Sequence, residues 1–210
     1  MGNKKTDITE PAVSETERDN GPKPGTLAGE VHEKDVVKLG LEVVSLEIEG
    51  LEELQRSIGP EFEKAVKLLL DCEGKVIVCG IGKSGIVARK IAATLSSTGT
   101  PAVYLHPVEA AHGDMGMVTE RDVFLSVSKS GNNEEITKLL PYLKAIKVKM
   151  VSITATEDSP LAGESDVVLL AKVGREACPM DMVPTTSTTA AMVLGDALAV
   201  AAFRSRNFGE

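Results

Sequence analysis

Four stretches of this 210-residue chain carry side chains with chemistry to offer. Gly80-Ile81-Gly82-Lys83-Ser84-Gly85 sets an ammonium and a hydroxyl in a glycine turn. Ser128-Lys129-Ser130-Gly131 adds two hydroxyls beside another glycine, and Thr185-Thr186-Ser187-Thr188-Thr189 strings five together. His106-Pro107-Val108-Glu109-Ala110-Ala111-His112 holds two imidazoles, and Glu135 and Glu176 place carboxylates on two further segments. Hydroxyls and unpaired N–H groups at a helix start hold phosphate well. Carboxylates and imidazoles move protons, and a cation stabilises a developing oxyanion. Each feature also has a plainer explanation. The glycine turn can serve close helix–sheet packing, with Lys83 solvated. The serines and threonines can be caps, Asn132 and Glu135 having capping-box spacing. A single Glu is commonly a solvated surface residue, and both histidines fit polar loops.

The elements around these residues decide how they gather. Val76–Cys79 is a short apolar, β-branched run before the glycine turn, and helical spacing follows at Ile86, Val87, Ile91, Ala92 and Leu95, with the helix expected from Ser84. Gly80, Gly82 and Gly85 spell G-x-G-x-x-G, but the next strand, Ala102–Leu105, ends in His106 and not in the acid a dinucleotide ribose requires. A P-loop is excluded because Ile77 stands where its first glycine belongs. Three more strands are expected at Val123–Val127, Met150–Thr154 and Val167–Ala171. Helices are expected over Asp35–Ser57, with an apolar stripe at Val37, Leu41, Val44, Ile48, Leu51 and Leu54, over Glu61–Asp71, through Ile136 and Leu143 where Pro141 should kink the helix or mark its first turns, and over Pro160–Gly163 and Thr188–Arg204. The loop 106–114 is read as irregular. The pattern predicts an α/β fold, a three-layer αβα sandwich with a five-stranded parallel sheet, flavodoxin-like, with its polar clusters collected at the carboxyl rim.

Composition narrows the partners. A formal net charge of −8 and 3% aromatic residues argue against nucleic acid. The last helix is apolar nearly all round, reads as buried, and looks too short for a membrane span, with Asp196 inside it. Cys72, Cys79 and Cys178 form no C-x-x-C pair, consistent with reduced thiols in a cytoplasmic protein. Residues 1–32 are polar and proline-bearing and read as a disordered tail, whose Met1-Gly2 start also fits a bare myristoylation pattern. The folded domain is expected over 33–210.

Taken together, Gly80-x-Gly82-Lys83-Ser84-Gly85, Ser97-Thr98-Gly99-Thr100-Pro101, His106-Pro107-x-Glu109-Ala110-Ala111-His112-Gly113-Asp114, Ser128-x-Ser130-Gly131, Glu176-Ala177-Cys178-Pro179 and Thr185-x-Ser187-Thr188-Thr189 resemble the SIS (sugar isomerase) domain of bacterial D-arabinose-5-phosphate isomerases. The resemblance runs from about Leu39 to the C-terminus. It implies interconversion of D-ribulose 5-phosphate and D-arabinose 5-phosphate through an enediol(ate), feeding the Kdo sugar of lipopolysaccharide, in a homotetramer whose sites lie between subunits. It implies no required cofactor. Lys83, Glu135 and Glu176 carry over as catalytic, Lys83 for oxyanion or phosphate charge and the glutamates for proton handling. Gly99, Thr100, His112, Lys172, Val173 and Gly174 carry over as sugar contacts. His106 matches a position that can take an inhibitory zinc. Gly82, Ser84, Ser128, Ser130, Ser187 and Thr188 are further expected substrate contacts, Ser128 and Ser130 as a phosphate cradle. Asn133 stands where many relatives place a Ser or Thr phosphate donor. Relatives continue into a His-Pro-Gly-Gly segment and a pair of CBS modules, whereas this sequence ends at Glu210. A non-catalytic sugar-phosphate-binding module is therefore the alternative expectation.

Overall fold

The computed structural model describes residues 33–206; the expected tail over 1–32, its acylation pattern and residues 207–210 lie outside them. Strands β1 (Val76–Cys79), β2 (Ala102–Leu105), β3 (Val123–Val127), β4 (Lys149–Thr154) and β5 (Val167–Leu170) form one sheet in the order β2-β1-β3-β4-β5. Every pairing is parallel, with Cys79 opposite both Leu105 and Ser126, and Ser126 opposite Ser152. Burial on both faces explains why these strands read as continuous apolar runs and not as alternation; all of β1 and β3 is buried. The order reverses at β1, so the carboxyl ends of β1 and β3 border the crevice where open α/β sheets take ligands.

Alternate side chains feed two cores. Val76, Val78, Val123 and Leu125 meet α1 (Glu33–Ser57), α2 (Pro60–Leu70), α3 (Gly82–Ser97) and α8 (Thr186–Ser205) through Leu54, Leu69, Ile91, Leu95, Leu194 and Leu198. Ile77, Cys79 and Phe124 meet α4 (Pro107–Ala111), α5 (Glu134–Thr137), α6 (Leu140–Ile146) and α7 (Pro160–Glu164) through Ile136, Leu143 and Leu161. Each fully buried Leu, Ile or Phe contributes about 1.5–3 kcal/mol, so these layers carry the fold.

The stretch expected as irregular, 106–114, is helical. His106 caps α4 by accepting at Nδ1 from the Val108 N–H at 3.3 Å, Pro107 starts the helix, and a 3-10 turn follows at Asp114–Met117. Pro141 does mark a first turn, as expected: the helical stretch is two pieces, α5 and α6, and Pro141 lies at the start of α6, where its missing N–H costs no ladder bond.

Helix α8 differs from expectation twice. It spans 20 residues and is long and apolar enough to cross a bilayer by length and composition, yet half of its apolar window is buried against this chain's own core. It is also not buried all round: Val193 and Val200 face outward, while Ala190, Leu194, Gly195, Leu198 and Ala202 pack inward. Gly195 is required there, because a Cβ at that position would stand 2.4 Å from the Cδ1 and Cγ1 of Ile91 on α3. Helix α1 docks through Leu54 and the half-buried Leu51, but the rest of its expected apolar stripe, Val37, Leu41, Val44 and Ile48, is exposed.

Overpacking the α3–α8 contact tests this arrangement. Gly195→Val is expected to cost about 1–3 kcal/mol, seen as a lower urea midpoint with an unchanged denaturant slope.

Candidate active site

The β1–α3 turn divides its glycines by task. A Cβ on Gly80 would lie 2.8 Å from the Ser84 carbonyl oxygen, and one on Gly85 would lie 2.8 Å from the Gly80 carbonyl oxygen. These two let strand and helix meet, as the packing explanation requires. Gly82 has φ +59°, in the left-handed region that favours glycine. The helix begins at Gly82, two residues earlier than expected, and its N-cap, Ile81, has no side-chain oxygen to cap the first turn. Those N–H groups and the positive end of the helix dipole therefore remain available to an anion. Ser84 is half-buried at this opening, while Lys83 is exposed.

In the β3–α5 turn the hydroxyls serve the turn itself. Buried Ser128 donates from Oγ to Asn133 Oδ1 at 2.6 Å and accepts from the Gly131 N–H at 3.1 Å. Ser130 Oγ accepts from the Asn132 N–H at 3.3 Å. The capping box read at Asn132 and Glu135 does not form: the N-cap is Asn133, without a side-chain cap bond, its amide oxygen being taken by Ser128. Gly131, at φ +64°, leaves room for Ser159, whose Oγ would lie 2.1 Å from a Cβ there. Glu135 sits half-buried in the first turn of α5 and makes no hydrogen bond or salt bridge among the described residues.

Glu176 is quite different. Its side chain is 1% exposed. Its Oε1 accepts from Lys129 Nζ at 2.6 Å and from Ser187 Oγ; its Oε2 accepts from the N–H groups of Thr185 at 2.8 Å and Ser187 at 3.1 Å and from Thr185 Oγ1 at 3.3 Å. Burial alone would raise its pKa, but these donors outweigh it and hold the carboxyl down to about 2. The carboxylate thus acts as a remote cap on α8. It also accounts for much of the threonine cluster. Thr185 and Ser187 serve Glu176, Thr188 Oγ1 donates to the Thr185 carbonyl at 2.8 Å, and Thr186 Oγ1 is buried without a partner among the described residues.

Between these turns lies a cleft at the carboxyl rim. Its polar lining is Ser84, Lys129, Thr154, Ser187 and Thr188, over an apolar wall of Val87, Val127, Ile153 and Ala191. Three of the expected contacts, Ser84, Ser187 and Thr188, therefore come together. Lys129 joins them although sequence reasoning passed it over as a variable residue between two serines; only the fold shows it reaching Glu176, 47 positions away. The arrangement offers donors, a helix N-terminus and one cation around a small apolar floor, which suits a compact phosphorylated ligand.

Other expected contacts lie elsewhere in this chain. Gly99 and Thr100 precede β2, so they stand at the amino edge of the sheet, opposite the cleft. Thr100 is buried, and its hydroxyl accepts from Arg206 Nη1 at 2.6 Å. The Lys172–Gly174 stretch leaves the correct end of β5, but the Gly174 N–H donates to Glu53 Oε2 at 2.7 Å and Val173 packs beside Gly50, so it ties down α1. His112 is an exposed C-cap of α4, and His106 caps the same helix. Among the described residues no three His, Cys, Asp or Glu side chains gather to hold a metal.

Glu176 makes stability depend on pH in a defined direction. Its folded pKa, about 2, lies below the ordinary 4.5. The resulting stabilisation, roughly 3 kcal/mol, is fully present above pH 4.5 and is lost as pH falls through the folded value. Glu176→Gln is expected to be less stable than wild type at pH 7 and to lose less on acidification, as read by urea unfolding at pH 7 and pH 3.

Comparison with known proteins places this geometry. The sequence pattern of the SIS domain matches residues 69–201. The chain is 49% identical, over 174 residues, to the arabinose 5-phosphate isomerases KdsD of Escherichia coli K12 and Pseudomonas aeruginosa, covering 83% of this chain and 53% of each of them. It thus spans about half the length of these curated relatives. A solved structure from E. coli CFT073, in complex with arabinose 5-phosphate, superposes with a TM-score of 0.83 at 39% identity, covering 86% of this chain and 96% of that one. The residues matched by the family pattern take in all five strands, the glycine turn and the rim cleft, and the chain belongs to the SIS domain family.

Proposed function

We propose that this domain is an aldose–ketose isomerase acting on D-ribulose 5-phosphate and D-arabinose 5-phosphate. The observation that carries this reading is the 49% identity to proteins named arabinose 5-phosphate isomerase. The family pattern spans the residues that build the cleft. Likeness to a structure solved with arabinose 5-phosphate supports the same substrate class. The phosphoryl group would lie at the uncapped start of α3 and the polar lip of the cleft. Proton transfer between C1 and C2 then passes through an enediol(ate), which needs a base and a cation near the developing charge.

The two glutamates divide these tasks. Glu135 has no hydrogen-bonded partner among the described residues to compete with a substrate proton, so it is the base. Glu176 is ionised and its oxygens are occupied, so it acts as a positioning residue that holds α8 and Lys129 in place. Lys83, exposed beside the α3 N-terminus, faces the ligand's charge from the mouth of the turn. No cofactor is required by this chemistry, and zinc at His106 would act only as an inhibitor. The proposed setting is the cytoplasm, where the product would feed the eight-carbon acid sugar of lipopolysaccharide.

The exposed stripe on α1 supports a homotetramer built on that face. Leu41→Glu with Ile48→Glu is expected to lower the solution mass measured by light scattering to that of a smaller species; an unchanged mass removes α1 from the interface.

A coupled assay on ribulose 5-phosphate tests the activity. Glu135→Gln is expected to lower kcat by roughly 10²–10⁴-fold with an unchanged thermal unfolding curve. Undiminished turnover in that variant would show that the base lies elsewhere. Wild-type protein that binds the sugar phosphate without turning it over would instead be a non-catalytic binding module.

A further inference from the structure

We propose that Lys129 is the cation that receives the phosphoryl group inside the cleft, with Glu176 as the buried counter-ion that aims it. The proposal rests on the sugar-phosphate reading above and assigns the residue that binds the ligand's charge. Among the residues lining the cleft Lys129 alone carries a formal charge. An ammonium has three N–H donors, and among the described residues Lys129 Nζ uses them on Glu176 only, at 2.6 Å. Its side chain is 51% exposed whereas that of Glu176 is 1% exposed, so the pair is a surface-reaching cation standing on a buried anion.

The pair is asymmetric in a useful way. Glu176 keeps four other donors, from Thr185 and Ser187, so the ammonium can lean toward a ligand without stranding a buried charge. The backbone beneath the lysine is fixed, the Lys129 carbonyl accepting from Thr154 Oγ1 at 3.1 Å and from the Ala155 N–H at 2.9 Å. Ser84 and Thr188 stand around the same opening. Lys83, the cation that the glycine turn brings to notice, does not line this cleft. A charge-assisted contact to a phosphoryl oxygen forms here at little ordering cost, because the lysine is already held by its partner.

The test uses the full chain, with inorganic phosphate as the probe in calorimetry and ribulose 5-phosphate in the coupled assay. Lys129→Gln retains a donor for Glu176 and removes the charge. It is expected to weaken phosphate binding at least tenfold and to raise KM at least tenfold with kcat changed less than threefold, while Lys129→Arg recovers most of both. A urea midpoint near wild type for Lys129→Gln would separate these losses from unfolding; should that variant unfold, weakened phosphate binding at raised ionic strength in wild type but not in folded Lys129→Met decides in its place. Phosphate affinity within twofold of wild type in folded Lys129→Gln would overturn the proposal. Loss of phosphate binding in that variant, together with a wild type inert toward ribulose 5-phosphate, would remove the isomerase reading and leave the anion site standing.

Discussion

A carboxylate almost wholly withdrawn from water, at Glu176, ties the cleft end of this domain together. Desolvating an ionised group is costly unless donors replace the lost water. Here the replacements come from two different elements, the start of α8 and the turn after β3. Each must be in place for the other to be tolerated. The cleft is the space left between them, so its shape follows from how this single charge is satisfied.

That constraint also explains why the hydroxyl-rich segment before α8 looks like a ligand site in sequence and is largely an internal device in three dimensions. Thr185 and Ser187 turn toward Glu176, and Thr188 toward its own backbone. Ser128 behaves in the same way, spending its hydroxyl on Asn133 and the Gly131 amide. In the proposed site, what remains for an anion is the first turn of α3 together with the Lys129 ammonium. The N-cap of α3 is isoleucine, which cannot do what serine or aspartate does at that position. In the proposed site most polar side chains build the walls, and the grip falls to the uncapped backbone and Lys129.

The sheet's two edges divide labour. At the carboxyl edge the β1 and β3 turns open a crevice at the strand-order reversal. At the amino edge, Arg206 ties Thr100 to the end of α2 by donating to the Leu69 carbonyl, and buried Asp122 gathers the Lys75 and Thr119 N–H groups at 2.8 Å each. Burial would raise the Asp122 pKa, but those bonds hold it low. The amino edge is a clasp for this chain. In the proposed tetramer, the exposed apolar half of α1 is the surface that another copy covers.

Much of this was legible in the residues alone. Strand positions follow from short β-branched runs between glycine and proline signals, because period and punctuation are local properties of the chain. The glycine turn, the rim location of Ser84, Ser187 and Thr188, and the family likeness followed from the same kind of reading. Three things were not local. Helix α4 depends on the His106 side chain capping its own following turn, a conformation that composition does not announce. The break at Pro141 was itself legible, but how far α5 runs before it, ending at Thr137, was not. The partnership of Lys129 with Glu176 joins residues 47 apart across two strand ends. A sequence states which groups can hold a proton or a charge; whether a carboxylate is left without a hydrogen-bonded partner among the described residues, as at Glu135, or saturated by donors, as at Glu176, is decided only when packing removes water and chooses its replacements.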